Sequence, residues 1–121
     1  MDTFENDSNW VKDGINSFVY VLILEIIIEK PSYGYLIKNH IENRITKVFP
    51  DYQLRFSSLY TILRKLEIKE GLISTIECPK SSDFKEKARR CYEITKKGTL
   101  EYQNSINQWK QFLGLIRSYF K

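Results

Sequence analysis

The sequence has few of the residues that carry catalysis or bind metals. It contains one histidine, His40, and two cysteines, Cys78 and Cys91. A structural zinc site needs four ligands at paired spacings, so these three residues do not make one. There is no GxSxG motif, no glycine-rich phosphate loop and no evident carboxylate pair. We therefore expect no catalytic residue, no metal and no cofactor, and a protein that is not an enzyme.

Cysteine is too scarce to predict a disulfide-stabilised scaffold. Cys78 and Cys91 fall in two segments that are predicted below to form a hairpin, so they could face each other across it. We predict reduced, partly buried thiols instead, because disulfides are rare in cytosolic proteins.

Long apolar runs are also missing. The longest, Phe18 to Ile28, is interrupted by Glu25 and falls well short of the ~20 residues that span a bilayer. No secretory signal is visible. The sequence predicts a cytoplasmic protein with no membrane partner.

Positive charge is distributed unevenly along the chain. The formal net charge is +4, but residues 1–63 carry −2 and residues 64–97 carry +4, from ten Lys/Arg against six Asp/Glu. A polyanionic partner would therefore meet the middle of the chain. A solvated surface explains the same charge, so charge alone does not identify nucleic acid.

The first half of the chain predicts three helices. After a polar arm (1–13), the apolar run from Ile15 to Ile28 fits a buried helix that ends before Pro31. Ser32 is a candidate N-cap for a second helix over Tyr33 to Ile45. A third helix follows in SSLYTILRKLE (57–67) and ends near Gly71, a natural C′ residue.

The period then changes from 3.6 to 2, which predicts strands. Leu72 to Glu77 and Arg89 to Thr95 alternate as two strands of a hairpin, joined by the lysine-rich segment CPKSSDFKEKA. Thr95 begins a last helix. With 121 residues, the chain fits one domain with a modest core.

The third helix has two unlike faces. Leu59, Ile62, Leu63 and Leu66 recur at the spacing of one apolar stripe. The opposite side carries hydroxyls and cations, which suit base edges and phosphates. Any surface helix shows such residues to water, so this helix taken alone decides nothing.

The last helix carries a heptad repeat of apolar residues. Its members step by 4, 3, 4, 3 and 4: Tyr102, Ile106, Trp109, Leu113, Ile116 and Phe120. Phe112 and Tyr119 form a second apolar line beside it. Packing on the protein's own core could cover one line, but two lines favour a homodimer interface.

Three helices, a β-hairpin and a final helix are the order of a winged helix-turn-helix. The sequence thus predicts a mainly α fold with a small β-hairpin: an arm (1–13), a DNA-binding domain (14–96) and a dimerisation helix (97–121). The candidate DNA contacts are Ser57, Ser58, Tyr60, Thr61, Arg64 and Lys65 on the third helix and Lys85, Lys87, Arg89 and Arg90 on the hairpin.

Three motifs in this order resemble the PadR family of transcriptional regulators. Tyr33-Gly34-Tyr35 is similar to the family's GY turn. SSLYTILRKLE with GLIS (71–74) is similar to its recognition helix and first wing strand, and RRCYEITKKG (89–98) to its second strand and helix start. The family usually has one residue fewer between the LE and the glycine, and a glycine-rich wing tip.

The resemblance implies a dimeric repressor that binds a pseudo-palindromic operator in double-stranded DNA. Some relatives stack a flat aromatic effector on a tryptophan of the last helix, and Trp109 falls at the matching place. Packing in the dimer core is the alternative role for Trp109. A winged helix that docks proteins, without specific DNA binding, is the alternative function, and the acidic first half favours it.

Overall fold

The computed structural model of the protein describes residues 10–79 and 90–120. Its elements are α1 (Trp10–Glu29), α2 (Gly34–Ile45), α3 (Phe56–Arg64), a π-helical turn (Lys65–Lys69), β1 (Ile73–Glu77), β2 (Arg90–Ile94) and α4 (Lys96–Tyr119). This is the predicted mainly helical winged helix-turn-helix followed by a C-terminal helix.

The apolar run forms the central helix of the core. Val19, Ile23 and Ile27 of α1 are almost fully buried, and they pack against Ile37 and Ile41 of α2 and the leucines of α3. The helix begins at Trp10, so residues 10–13, predicted as part of the arm, form its first turn. Trp10 itself is exposed.

Glu25 is the one charged residue inside this run, and it has partners on two other helices. Its carboxylate accepts a hydrogen bond from the Arg44 guanidinium of α2 and one from the Tyr102 hydroxyl of α4, 3.5 Å away. Burial and the nearby Glu25 carboxylate raise the pKa of Tyr102. A charge at this position therefore joins α1 to α2 and α4 instead of breaking the core.

The prediction that Ser32 caps α2 is wrong. The N-cap is Tyr33, without a side-chain cap bond, and the Ser32 hydroxyl donates to the Lys30 carbonyl. The Ser32 backbone is instead paired with Tyr92 of β2, through N–H to O distances of 3.2 and 2.8 Å. Ser32 thus forms an isolated β-bridge beside the hairpin, a long-range pairing that local sequence signals do not report.

The hairpin, called the wing below, is antiparallel, with Ile73 opposite Ile94 and Glu77 opposite Arg90. The prediction of reduced thiols is wrong, because Cys78 and Cys91 form a disulfide. Antiparallel pairing brings their Cα atoms to 4.8 Å, within the range that a disulfide bridges. The rarity of disulfides in cytosolic proteins does not determine this distance.

α3 does not end as a regular helix. Residues 65–69 form a π-helical turn in which the Glu70 N–H bonds the Lys65 carbonyl and the Leu72 N–H bonds the Leu66 carbonyl. Such turns accommodate an extra residue in a helix. In the PadR family, the spacing between the LE of this helix and the following glycine is usually one residue shorter, and the π-helical turn overlaps that spacing. Gly71 follows with φ of 67°, as predicted for the residue after a helix.

Candidate nucleic-acid interface

The outer face of α3 presents the predicted polar residues to solvent. Leu59, Leu63 and Leu66 are buried, which confirms the predicted apolar stripe. Ser57, Ser58, Tyr60, Thr61, Arg64 and Lys65 are all exposed. A helix placed this way can enter a groove of DNA without disturbing the core.

Two arginines line the same cleft between α3 and the wing. Arg64 of α3 and Arg90 of β2 line one cleft of about 560 Å³, together with Tyr60, Glu67 and Tyr92. This cleft is called the wing cleft below. Its polar, arginine-bearing lining suits a sugar–phosphate backbone.

Other predicted residues face the opposite side of α3. Ser58 and Thr61 line a cleft of about 660 Å³ with Arg55 and the N-terminal half of α1. The Lys65 ammonium lies 5.2 Å from the ring centroid of Tyr20 in α1. The structure therefore separates Ser58, Thr61 and Lys65 from the wing cleft.

The Thr61 hydroxyl is already engaged inside α3. It donates to the Ser57 carbonyl at 2.9 Å. Its hydrogen is used in that bond, so towards a base the oxygen can accept but not donate. Thr61 is thus suited to an amino group of adenine or cytosine, or to an apolar contact through its methyl group.

Tyr60 reaches the start of α2 because residue 34 is glycine. A Cβ built on Gly34 would lie 2.5 Å from the Tyr60 hydroxyl oxygen and 3.0 Å from its Cζ atom. Tyr60 therefore rests directly on the backbone of α2. This contact gives a structural reason for glycine in the Tyr33-Gly34-Tyr35 motif.

Hydrogen bonds fix the angle between α3 and the wing. The Glu67 carboxylate accepts from the backbone N–H of Thr75 at 2.9 Å and from its hydroxyl at 2.7 Å. Both bonds run from the helical end of α3 to β1. α3 and the wing are thereby held as one unit.

A second carboxylate fixes the turn between α2 and α3. Glu42 accepts from the Leu54 N–H at 2.6 Å and pairs with Lys38 at 2.9 Å. Burial alone would raise the pKa of Glu42, but these two partners outweigh burial and lower the pKa below its ordinary value of 4.5. The same carboxylate, together with burial, raises the pKa of Tyr52 to about 12.

Three predicted wing contacts, Lys85, Lys87 and Arg89, lie outside the described residues. Sequence reasoning also overlooked an aromatic pair near the start of α3. Phe56 and Tyr60 are four residues apart, a spacing that places two side chains on one helix face, and their ring centroids are 6.1 Å apart. This four-residue spacing is the sequence signal from which the aromatic pair could have been predicted.

The far half of α4 is apolar and exposed. α4 begins as predicted at Thr95, whose hydroxyl accepts from the Gly98 N–H. Its first half packs on α1, where Tyr102 joins the core and Trp109 meets Phe18 at a centroid distance of 4.9 Å. Beyond it, the exposed apolar residues are Phe112, Leu113, Leu115, Ile116, Tyr119 and Phe120.

A cavity of about 380 Å³ with an almost wholly apolar lining lies at the junction of these two halves. Phe18, Ile106, Trp109, Leu113 and Ile116 are among its lining residues. Four of the six residues of the predicted heptad repeat therefore surround one cavity. It is open to solvent in the single chain.

Among the residues described, no helix is both long and apolar enough to cross a membrane. In the same ranges, no three His, Cys, Asp or Glu side chains are grouped to hold a metal ion. The chemistry available on this surface is that of hydrogen-bond donors, cations and aromatic rings.

Together, the fold and the cleft define a winged helix-turn-helix protein of the kind that transcription regulators use. Residues 23–104 match the Transcriptional regulator PadR-like family. That match covers more than half of the chain, and the chain belongs to this family.

The chain is also similar to two known proteins. An uncharacterized protein of Lysinibacillus sphaericus is 30% identical over 86% of this chain and 89% of its own length. A transcriptional regulator from Clostridium thermocellum has a similar structure, with a TM-score of 0.71 and 29% identity, covering 90% of this chain and 96% of that one.

One solved structure includes DNA. Bacillus subtilis PadR, in complex with operator DNA, is 20% identical and has a TM-score of 0.56, covering 74% of this chain and 47% of that one. At this identity the likeness concerns the fold alone.

Proposed function

We propose that this protein is a sequence-specific DNA-binding repressor that acts as a homodimer in the cytoplasm on a pseudo-palindromic operator. One observation carries the proposal: Arg64 on the reading helix and Arg90 on the wing line the same cleft beside the exposed face of α3. Among the described residues that line this cleft, two are arginines and one is acidic, Glu67, which is bonded to Thr75; this lining favours a polyanion.

The residues divide into two roles. Ser57, Tyr60, Thr61 and Arg64 lie where a recognition helix meets base edges, and Arg64 can form a bidentate pair with guanine. Arg90 contacts the phosphate backbone, with Lys85, Lys87 and Arg89 of the same wing. Ser58 and Lys65 face α1 and are assigned at most a contact with a flanking phosphate.

Dimerisation is supported by the exposed end of α4. Its apolar side chains lie beyond the body of the domain, and a contiguous apolar patch on a lone protomer is unfavourable in water. A second copy would cover it symmetrically. Two reading helices would then lie about one DNA turn apart.

The test combines selection from a random duplex library with fluorescence anisotropy on the selected and a scrambled site. We expect binding that weakens steeply with salt. Arg64→Ala should cost ~1–3 kcal/mol on the selected site and little on the scrambled one. Arg90→Ala should weaken both alike.

Two outcomes would contradict the proposal. Equal losses on both sites for Arg64→Ala would remove its role in sequence discrimination. No salt-sensitive binding to any duplex would favour the protein-docking adaptor instead.

The match to a family of transcription regulators supports a protein that is not an enzyme.

A flat aromatic effector is supported by the apolar cavity at Trp109. Its volume of about 380 Å³ is that of a small-molecule site. Titration with planar aromatic compounds should quench Trp109 fluorescence, with Trp10→Phe removing the background of the other tryptophan. The Trp109→Phe variant keeps Trp10 as its tryptophan, and equal quenching in that variant would contradict this role.

A further inference from the structure

Three aromatic rings form an exposed row at the start of α2 and α3. The ring centroids of Tyr35 and Phe56 are 6.4 Å apart with an interplanar angle of 17°, and those of Phe56 and Tyr60 are 6.1 Å apart at 21°. These three residues are called the aromatic row below. Phe56 is at its centre.

The aromatic row lies where a recognition helix meets bases. Phe56 is the first residue of α3 and Tyr60 lies one turn further, on the flank of the face that carries Ser57 and Arg64. The N-terminal residues of a recognition helix are the ones that contact base edges. Phe56 therefore belongs to the reading surface.

Phe56 remains exposed although it is a large apolar side chain. Its exposed fraction is 41%, beside Tyr35 at 55% and Tyr60 at 48%. Lys38, which pairs with Glu42, lies 5.1 Å from the Phe56 ring centroid and fixes the ring by a cation–π contact. The ring is thus held in place at the surface and is not folded into the core.

The chemistry of the ring limits its partner in DNA. A phenyl group neither donates nor accepts hydrogen bonds, so phosphates and the polar base edges offer Phe56 nothing. The apolar group of the major groove is the C5-methyl of thymine. Contact with that methyl would cover the exposed ring.

The spacing within the row excludes insertion of a base between two rings. A base sandwiched between rings needs about 6.8 Å, twice the 3.4 Å step of stacked bases. The centroid distances of 6.1 and 6.4 Å are shorter than this. The row therefore offers a closed apolar surface to a duplex, not slots for unpaired bases.

We infer that Phe56, held between Tyr35 and Tyr60, determines sequence specificity by contacting a thymine methyl in each operator half-site. This inference rests on the proposed function and specifies its DNA: each half-site carries a thymine at the position facing the first turn of α3. Thr61 does not replace the ring, because it lies on the other flank of the helix, in the cleft that Ser58 also lines.

The test is a uracil scan of the selected operator with the full-length dimer. Each thymine is replaced singly by deoxyuridine, which removes only the methyl group. We expect one symmetric position whose replacement lowers affinity about fourfold per half-site, the worth of one buried methyl. Replacements outside the half-sites should leave affinity unchanged.

A double-mutant cycle assigns the effect to Phe56. The Phe56→Ala variant should bind the thymine operator more weakly than the unmodified protein does. It should bind the thymine and uracil operators with equal affinity. Leu100→Ala, which truncates a 67% exposed apolar residue on α4, is the matched control and should retain the fourfold difference. If Phe56→Ala does not fold, Phe56→Gln replaces it.

The outcomes separate this inference from the proposed function. If no operator is enriched, the proposed function fails. If an operator is enriched and no thymine responds to uracil, the inference alone is overturned. A uracil effect that Phe56→Ala or Phe56→Gln leaves intact would equally overturn it, because another residue would then contact the methyl.

Discussion

Tyr60 can lie across the start of α2 only because residue 34 has no side chain. Replacing Gly34 with alanine would place a Cβ 2.5 Å from the Tyr60 hydroxyl oxygen. The ring tip can move, so the domain should still fold, at a cost of about 1–3 kcal/mol. The displaced Tyr60 would disturb the surface that we propose to face DNA.

We expect Gly34→Ala to lower affinity for the selected operator roughly tenfold, measured by anisotropy alongside urea unfolding. Gly14→Ala in α1 is the matched control, because a Cβ there meets nothing within 4 Å. It should bind as the unmodified protein does and gain a little helix stability. Equal affinities of the two variants would contradict the positioning of Tyr60 by Gly34.

Glu42 predicts a pH dependence of stability. Because its pKa is lowered in the folded state, its stabilising effect is complete above pH 4.5 and disappears as pH falls through the lowered value. Glu42→Gln should cost about 1 kcal/mol at pH 7. That difference in the free energy of unfolding should shrink on acidification below 4.5, and a difference independent of pH would contradict it.

At the scale of elements, the disulfide closes the wing across a sequence separation of 13 residues. A loop of that length gives up to about 3 kcal/mol of stabilisation, by restricting the unfolded chain. Thiol reductant should therefore lower the midpoint of chemical unfolding. The double variant Cys78→Ala with Cys91→Ala should not respond to reductant, and an equal response in both proteins would count against the bond.

Most elements could be predicted from the sequence, because their signals are local. The Leu59 stripe, the change of period after Gly71 and the Thr95 helix start each depend on neighbouring residues, and the structure confirms them. Ser32 was assigned wrongly because its partner, Tyr92, is far away in sequence. The disulfide was missed because its formation depends on the distance between two Cα atoms across the hairpin, which an expected compartment does not determine.

The candidate site was less predictable than the fold. Helical spacing identified the exposed face of α3, but it could not show that Lys65 turns to Tyr20 while Arg64 turns to the wing. The two cations are about 100° apart on a helical wheel, which places Lys65 on the flank but does not show which neighbouring element either side chain faces. Their separation depends on the position of α1 and β2, which only the assembled fold defines.

At the scale of the whole molecule, dimerisation and DNA affinity should be lost together. Leu113→Glu places a charge within the exposed apolar end of α4. We expect a monomer by light scattering and a loss of operator affinity of at least tenfold. Gln111→Glu adds the same charge at a neighbouring exposed position outside the heptad repeat and should remain dimeric. A monomeric variant with full affinity would contradict the coupling.

The links between Glu67 and Thr75 and between Ser32 and Tyr92 bind the wing to both sides of the helix-turn-helix. In the proposed dimer, each helix-turn-helix with its wing would be one rigid unit, joined to the other protomer through α4. A compound bound beside Trp109 would change the structure of that unit little. It would act by changing the relative orientation of the two α4 helices. It would therefore control the distance between the two rigid units and not the fit of either unit to DNA.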